Sequence, residues 1–152
     1  MLKIDDIDML ILSELSNDAS VSIPKLAKKI RVNSSIVYAR IKNMIKKNIV
    51  EKFIILVNDH EIGYDIKSLI GINMNSKMHE SIVKALFEIY GVRKISEVTG
   101  RFDVLVTVYA RTLEEMHKVI SDKIASIDGI LSSESFIEMT VREKSIPYKP
   151  KV

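Results

Sequence analysis

Three residues, Arg31-Val32-Asn33, separate two stretches of helical periodicity, and no other feature of the chain restricts its fold so tightly. A connection that short makes consecutive helices cross steeply, as in a helix-turn-helix. Before the turn, Ser22 suits an N-cap and Pro24 a first helical turn, so a short helix should bury Leu26, Ala27 and Ile30. After it, Asn33 is a strong N-cap, and Ile36, Val37, Ile41, Met44 and Ile45 form the apolar stripe. Asn48 falls where that helix must end, a residue that accepts the left-handed conformation well. A preceding helix is expected over residues 5–16. It opens on Asp5, Asp6 and Asp8, carries Ile7, Leu10, Ile11 and Leu15 on one face, and stops near Asn17-Asp18.

Charge is concentrated on the same segment. From Lys25 to Lys52 nine basic residues face one acid, Glu51, a local excess of +8 in a chain whose net charge is +3. Residues 61–152 hold thirteen basic and thirteen acidic residues. A confined basic cluster is the footprint of a polyanion binder, although a solvated helical surface would carry the same charge. The helical pattern beneath it favours duplex DNA. Ser34, Ser35 and Tyr38 lie near the start of the third helix, where side chains reach base edges in the major groove. Arg40, Lys42, Lys46 and Lys47 are placed for phosphates, which set register and affinity without sequence information. Two alternatives stand beside this: Arg40 pairs with an acid inside the domain, or Tyr38 simply packs.

Residues 50–57 are rich in β-branched side chains and read as a strand, and Asn58-Asp59-His60-Glu61 with Gly63 reads as a linker. The expected organisation is a DNA-binding domain at 1–57, a linker at 58–65 and a second domain at 66–152. There, Ile66–Met74 alternates as a strand, residues 76–90 turn helical and end at Gly91, and Val92–Val98 and Phe102–Ala110 read as strands joined by the tight connection Thr99-Gly100-Arg101. Thr112 caps another helix that closes at Asp128-Gly129, and a last strand is expected from Ile130 to Arg142. The order β-α-β-β-α-β is ferredoxin-like, giving an α+β chain whose sheet has one face without helices. That face should pair with another subunit.

The two halves together resemble the Lrp/AsnC, or feast/famine, family of bacterial and archaeal regulators. The stretch DDIDMLILSELSNDASVSIPKLAKKIRVNSSIVYARIKNMIKKNIV is similar to that family's reader domain in its early DxxD, its LAKKI and the S…V..RIK…I of the third helix. TGRFDV resembles the family's Thr-Gly-aromatic-Asp hairpin, with Arg101 placed between Gly100 and Phe102, and DGILSSES resembles the turn into its last strand. Ser34 and Asn48 stand where the family usually has Pro and Gly, and both obey the same helix-end physics. The resemblance implies a winged-helix-like reader followed by a βαββαβ domain of the RAM/ACT-like kind. It implies homodimers formed through the sheets, larger closed assemblies, and amino acids bound between subunits.

Residues suited to such an effector are present. Thr99, Gly100 and Arg101 form a glycine turn able to offer main-chain N–H groups to a carboxylate. Asp103 or Asp122 suits the ammonium, and Ser133 and Ser135 supply hydroxyls from one face of the last strand. Plain hairpin geometry would explain Gly100 and Asp103 equally well.

Nothing in the sequence points to catalysis. His60, His79 and His117 are scattered without metal-ligand spacing, and no phosphate loop, GxGxxG or GxSxG occurs. No cofactor or metal is therefore expected. The chain has no Cys, which rules out disulfides and suits a reducing compartment. With no signal-like N-terminus and no long apolar run, a cytoplasmic protein without membrane partners is expected. The reading is a sequence-specific regulator that responds to an amino acid. Its alternatives are an architectural protein that wraps DNA without an effector, and a small-molecule-binding regulatory subunit of an enzyme.

Overall fold

A computed structural model describes residues 4–142 and Tyr148. These divide into two compact units, the second being Val57–Val141 and the first comprising the residues before Val57 together with those from Arg142 onward.

The first unit holds three helices: α1 (Asp6–Asn17), α2 (Ile23–Ile30) and α3 (Ser34–Lys46). Their ends follow from local chemistry. Asp5 caps α1 by accepting from the Asp8 N–H at 3.0 Å, and the Asp8 carboxylate accepts from the Asp5 N–H at 3.3 Å, a reciprocal capping box. Ser22 occupies the N-cap of α2, but its hydroxyl makes no capping bond. Arg31 ends α2 in the left-handed region at φ 57°, and Val32 N–H closes the turn on the Ala27 carbonyl at 3.0 Å. Asn33 caps α3 by accepting from the Ser35 N–H at 3.1 Å. Asn48 takes φ 55° just beyond it, with Ile49 N–H reaching back to the Met44 carbonyl at 2.9 Å.

Ile11, Leu26, Ala27, Val37 and Met44 form the core where the helices meet. Two residues of the expected α3 stripe lie outside it: Ile36 and Ile45 are each 45% exposed, because Val37, Ile41 and Met44 fix the inward face and these two fall on its flanks. Leu10 is likewise exposed, and Leu12 packs instead. Residues 50–57 form no strand. A strand exists only where a neighbour supplies ladder partners, and no described segment pairs with this one. Ile55 and Leu56 are 84% and 98% exposed. A single 3-10 turn, His60–Ile62, then closes on Gly63 at φ 85°.

The second unit is a four-stranded antiparallel sheet with helices on one face. Strands β1 (Ile66–Met74), β2 (Val92–Glu97), β3 (Val104–Ala110) and β4 (Ile130–Ile137) lie in the order β2-β3-β1-β4. This is the ferredoxin-like arrangement of an α+β domain. Helix α4 (His79–Phe87), entered by a 3-10 turn at Ser76–Met78, and α5 (Leu113–Lys118), continued as a π-helical turn over Val119–Ile124, cover that face. Ile70, Ile72 and Met74 of β1, the alternate residues Val104, Val106, Val108 and Ala110 of β3, and Ile82, Leu86, Met116 and Ile124 from the helices make the core. The opposite face carries Lys67, Leu69, Gly71, Leu105, Tyr109, Glu134 and Phe136 by strand register.

Three expected boundaries move. Helix α4 starts three residues late and stops at Phe87. The β2–β3 connection spans Val98–Asp103, closed by the Val98 N–H on the Asp103 carbonyl at 3.1 Å, in place of a three-residue turn. Strand β4 ends at Ile137 instead of Arg142, because its partner β1 begins at Ile66 and offers no backbone beyond the Glu138 N–H to Lys67 carbonyl bond. Residues 143–147 lie outside the described residues.

Gly71 is a glycine whose lack of a side chain admits a close neighbour. A β-carbon there would sit 2.4 Å from the Phe102 ring, so that ring lies directly on the β1 backbone.

Candidate nucleic-acid interface and effector cleft

The outer side of α3 carries the expected reader residues. Ser35 is exposed, with its hydroxyl donating to the Asn33 carboxamide oxygen at 3.0 Å, while Ser34 is half-buried. Tyr38 is 54% exposed, so it is not packed in the core, and the Lys42 ammonium lies 5.8 Å from its ring centroid. Lys42, Lys46 and Lys47 are exposed, and among the described residues none forms a salt bridge. Their charges are therefore open to an outside anion.

Arg40 differs from these. Its guanidinium donates to both Asp5 carboxylate oxygens at 2.7 and 2.6 Å and to Asp8 at 2.9 Å. The intradomain ion pair, the alternative to phosphate contact, is the arrangement present. The same two carboxylates cap α1, so one arginine ties the reading helix to the first turn of α1. The Asp8 N–H, and then the Arg40 guanidinium, hold the Asp5 carboxyl below its ordinary range. Hydrogen bonds from Asp5 and then Asp8 raise the Arg40 guanidinium in turn.

In the second unit, a cleft of about 420 Å³ opens where β1 ends, α4 begins and β2 runs into its loop. Met74, Ser76, His79, Glu97, Val98 and Asp103 line it. Asp103 is fixed by its own main chain, which donates to the Ile72 carbonyl at 3.0 Å, and by its side chain, which accepts from the Met74 N–H at 2.8 Å. Glu97 lies 3.7 Å from the His79 ring nitrogen. One wall thus carries two carboxylates and an imidazole, beside the main chain of a glycine turn with Gly100 at φ 139°.

Of the residues singled out for an effector, Asp103 lines this cleft and Thr99 borders the adjoining depression with Glu97 and Val98. Arg101 turns away from it. It pairs with Glu134 of β4 at 2.7 Å and stacks over Phe102 at 5.3 Å, and Phe102 meets Phe136 edge-on. Asp122 sits in the π-helical turn, accepting from the Ser121 hydroxyl at 2.6 Å, and does not line the cleft. Ser133 and Ser135 are exposed on β4 and do not line it either. His79, which the sequence shows only as one of three scattered histidines, and Glu97, which no sequence motif singles out, also line the cleft. The signal that points to them is topological: in a βαββαβ order the first helix starts beside the β2–β3 connection.

Comparisons with known proteins follow the same division. Residues 4–45 match the AsnC-type helix-turn-helix domain, and residues 67–146 match the Lrp/AsnC ligand binding domain. An uncharacterised HTH-type transcriptional regulator of Pyrococcus abyssi is 32% identical over 142 residues, covering 93% of this chain and 90% of its own. The regulatory protein AsnC of Haemophilus influenzae is 31% identical over 140 residues, covering 91% and 93%. Among solved structures, AsnC of Escherichia coli superposes with a TM-score of 0.88 at 28% identity, over 96% of this chain and 99% of its own. A Neisseria meningitidis transcriptional regulator in complex with L-Met shares the fold, with a TM-score of 0.90 at 16% identity over 95% and 96% of the two chains.

Proposed function

The chain belongs to the Lrp/AsnC family of transcription regulators, with a DNA-binding helix-turn-helix and a ligand-binding domain, and from that premise we propose that an amino acid sets its affinity for a specific DNA sequence. The observation that carries the DNA half is the free cationic side of α3, where Lys42, Lys46 and Lys47 are exposed and unpaired among the described residues. Ser35 and Tyr38 read base edges from the first turns of the helix, and the three lysines contact phosphates. Arg40 contributes by fixing the angle of α3 against α1 instead of touching DNA.

The effector half rests on the Asp103 cleft. An α-amino acid presents an ammonium and a carboxylate, and the cleft offers carboxylates at Glu97 and Asp103 for the first. His79 and the N–H groups of the turn at Thr99 and Gly100 suit the second. The helix-free sheet face, with Leu69, Leu105, Tyr109 and Phe136, joins two copies, so two readers meet a near-palindromic site with half-sites one or two helical turns apart. An effector bound beside Asp103 reaches that face through Arg101, Phe102 and Glu134. No catalytic role is assigned.

The test is a titration of the full chain against its own promoter DNA and against scrambled DNA, each with and without the twenty amino acids. Tighter promoter binding, shifted several-fold by one or a few amino acids, is the expected outcome. Equal affinity for both DNAs with no amino-acid effect would leave an architectural wrapper. Absence of DNA binding even at low salt would leave an enzyme's regulatory subunit.

A further inference from the structure

At the end of the sheet opposite the Asp103 cleft, four chain segments bring tyrosine and arginine together. Tyr64 precedes β1, Tyr90 follows α4, Arg93 lies near the start of β2, and Arg111 joins β3 to α5. The Tyr64 ring is half-buried and makes a fixed platform. Both guanidinium groups lie over it, Arg93 at 5.3 Å and Arg111 at 5.6 Å from the ring centroid. Arg93 also lies 5.9 Å from the Tyr109 ring. The Tyr64 and Tyr90 hydroxyls are 2.6 Å apart.

What is missing around this cluster is acid. Among the described residues no carboxylate oxygen lies within 4.0 Å of either guanidinium. Of the two acids that follow Arg111 most closely in sequence, Glu114 pairs with Lys118 at 2.7 Å and Glu115 accepts from the Arg111 main-chain N–H at 2.7 Å. The contrast with the other paired arginines is sharp: Arg40 has two carboxylates and Arg101 has one. Two like charges held over one ring repel each other unless an anion lies between them. Both side chains are exposed, so an anion can reach them.

We propose that Tyr64, Tyr90, Arg93 and Arg111 form a binding site for a phosphate group. Two guanidinium forks present hydrogen-bond donors along separate directions, matching the several oxygens of a tetrahedral phosphate better than the two coplanar oxygens of a carboxylate. One phenol donates to the other, which leaves one O–H proton for a further phosphate oxygen. Lys67, on the same side of the sheet, adds no free charge because Glu138 pairs with it at 2.9 Å. The phosphate comes either from the backbone of bound DNA or from a free phosphate or phosphate monoester, and the two sources are separable by experiment.

The full chain is titrated with inorganic phosphate by calorimetry at constant ionic strength. Its affinity for a DNA fragment several helical turns long is then measured across a salt series. Both measurements are repeated on Arg93→Gln/Arg111→Gln and on a control with the same charge change, Lys84→Gln/Lys123→Gln, whose residues lie outside the cluster. Tyr64→Phe, which keeps the platform and removes one hydroxyl, guards against loss of folding in the double variant. If the site takes free phosphate, the double variant weakens phosphate binding about tenfold or more, Tyr64→Phe weakens it by a few-fold, and the control keeps wild-type affinity. If the site takes DNA, the salt slope falls by about one to two in the double variant and less in the control. Identical phosphate binding and identical salt slopes in wild type, double variant and control would overturn the proposal, as would equal losses in the double variant and the control.

Discussion

The two units reach stability by different routes. Among the described residues, the three-helix unit buries five apolar residues completely or nearly so, whereas the sheet unit buries twelve. In the small unit, helix ends and ion pairs hold what a thin core cannot: the Asp5–Asp8–Arg40 cluster closes α1 and α3 together, and Lys29 of α2 pairs with Glu14 of α1. In the larger unit, alternate residues of β1 and β3 fill one continuous interior, and the polar groups are free to be arranged for ligands. A reader that must present its outer face to DNA gains little from a larger core. A sensor with a cleft at one sheet end needs a rigid one.

The strongest way to test this contrast is to remove equal side chains from the two cores. Ile11→Ala and Ile70→Ala each delete three carbons from a fully buried position, at a cost of about 2–5 kcal/mol. Calorimetry should show the Ile11→Ala change lowering the helical unit's transition by about 10 °C or more and leaving the sheet unit's own transition in place. A single transition shifted equally by both substitutions would break the comparison.

A smaller effect is expected at the ion-pair network. Because the Asp5 carboxyl is held below its ordinary range, its contribution is fully present above the unfolded value, near 3.9, and is lost as pH falls through the lower folded value. Arg40→Gln should therefore weaken DNA binding several-fold at neutral pH. It should also flatten the acid dependence of the helical unit's stability below about pH 4, which a series of thermal melts would reveal. Equal acid sensitivity in wild type and variant would remove Arg40 from the account and leave the Asp8 N–H as the group that holds the Asp5 carboxyl low.

The smallest expected effect lies at the end of α3. Asn48 holds φ 55°, so Asn48→Gly relieves a left-handed side chain and should stabilise by up to about 1 kcal/mol in denaturant titrations. A destabilised variant would show that the Asn side chain itself is needed there.

These ends were also the most legible features of the sequence. Asn33 and Asn48 act within a few residues of themselves, so their positions alone gave both ends of α3. Residues 50–57 misled because β-branched composition describes what a strand is made of, while pairing decides whether one forms. The end of β4 was unreadable for the same reason: it is set where Ile137 pairs with Ser68 near the start of β1, a residue far away in sequence. Arg40 meets Asp5 across 35 residues, so pairing stood only as one alternative. The Asp103 cleft was half visible. Asp103 belongs to a recognisable turn, but His79 and Glu97 join it only because the sheet order brings β1, α4 and β2 to the same end.

The contact between Gly71 and the Phe102 ring has a consequence for substitution at both positions. No residue with a β-carbon fits at 71 while an aromatic ring occupies that spot. Because Phe102 also meets Phe136 and carries Arg101 on its ring, shortening residue 102 first would loosen the turn beside the cleft. A side chain at 71 requires the Phe102 ring to move, and with it the contacts to Phe136 and Arg101. Positions 71 and 102 are thus coupled through one contact, and a change at either is felt in the turn that borders the Asp103 cleft.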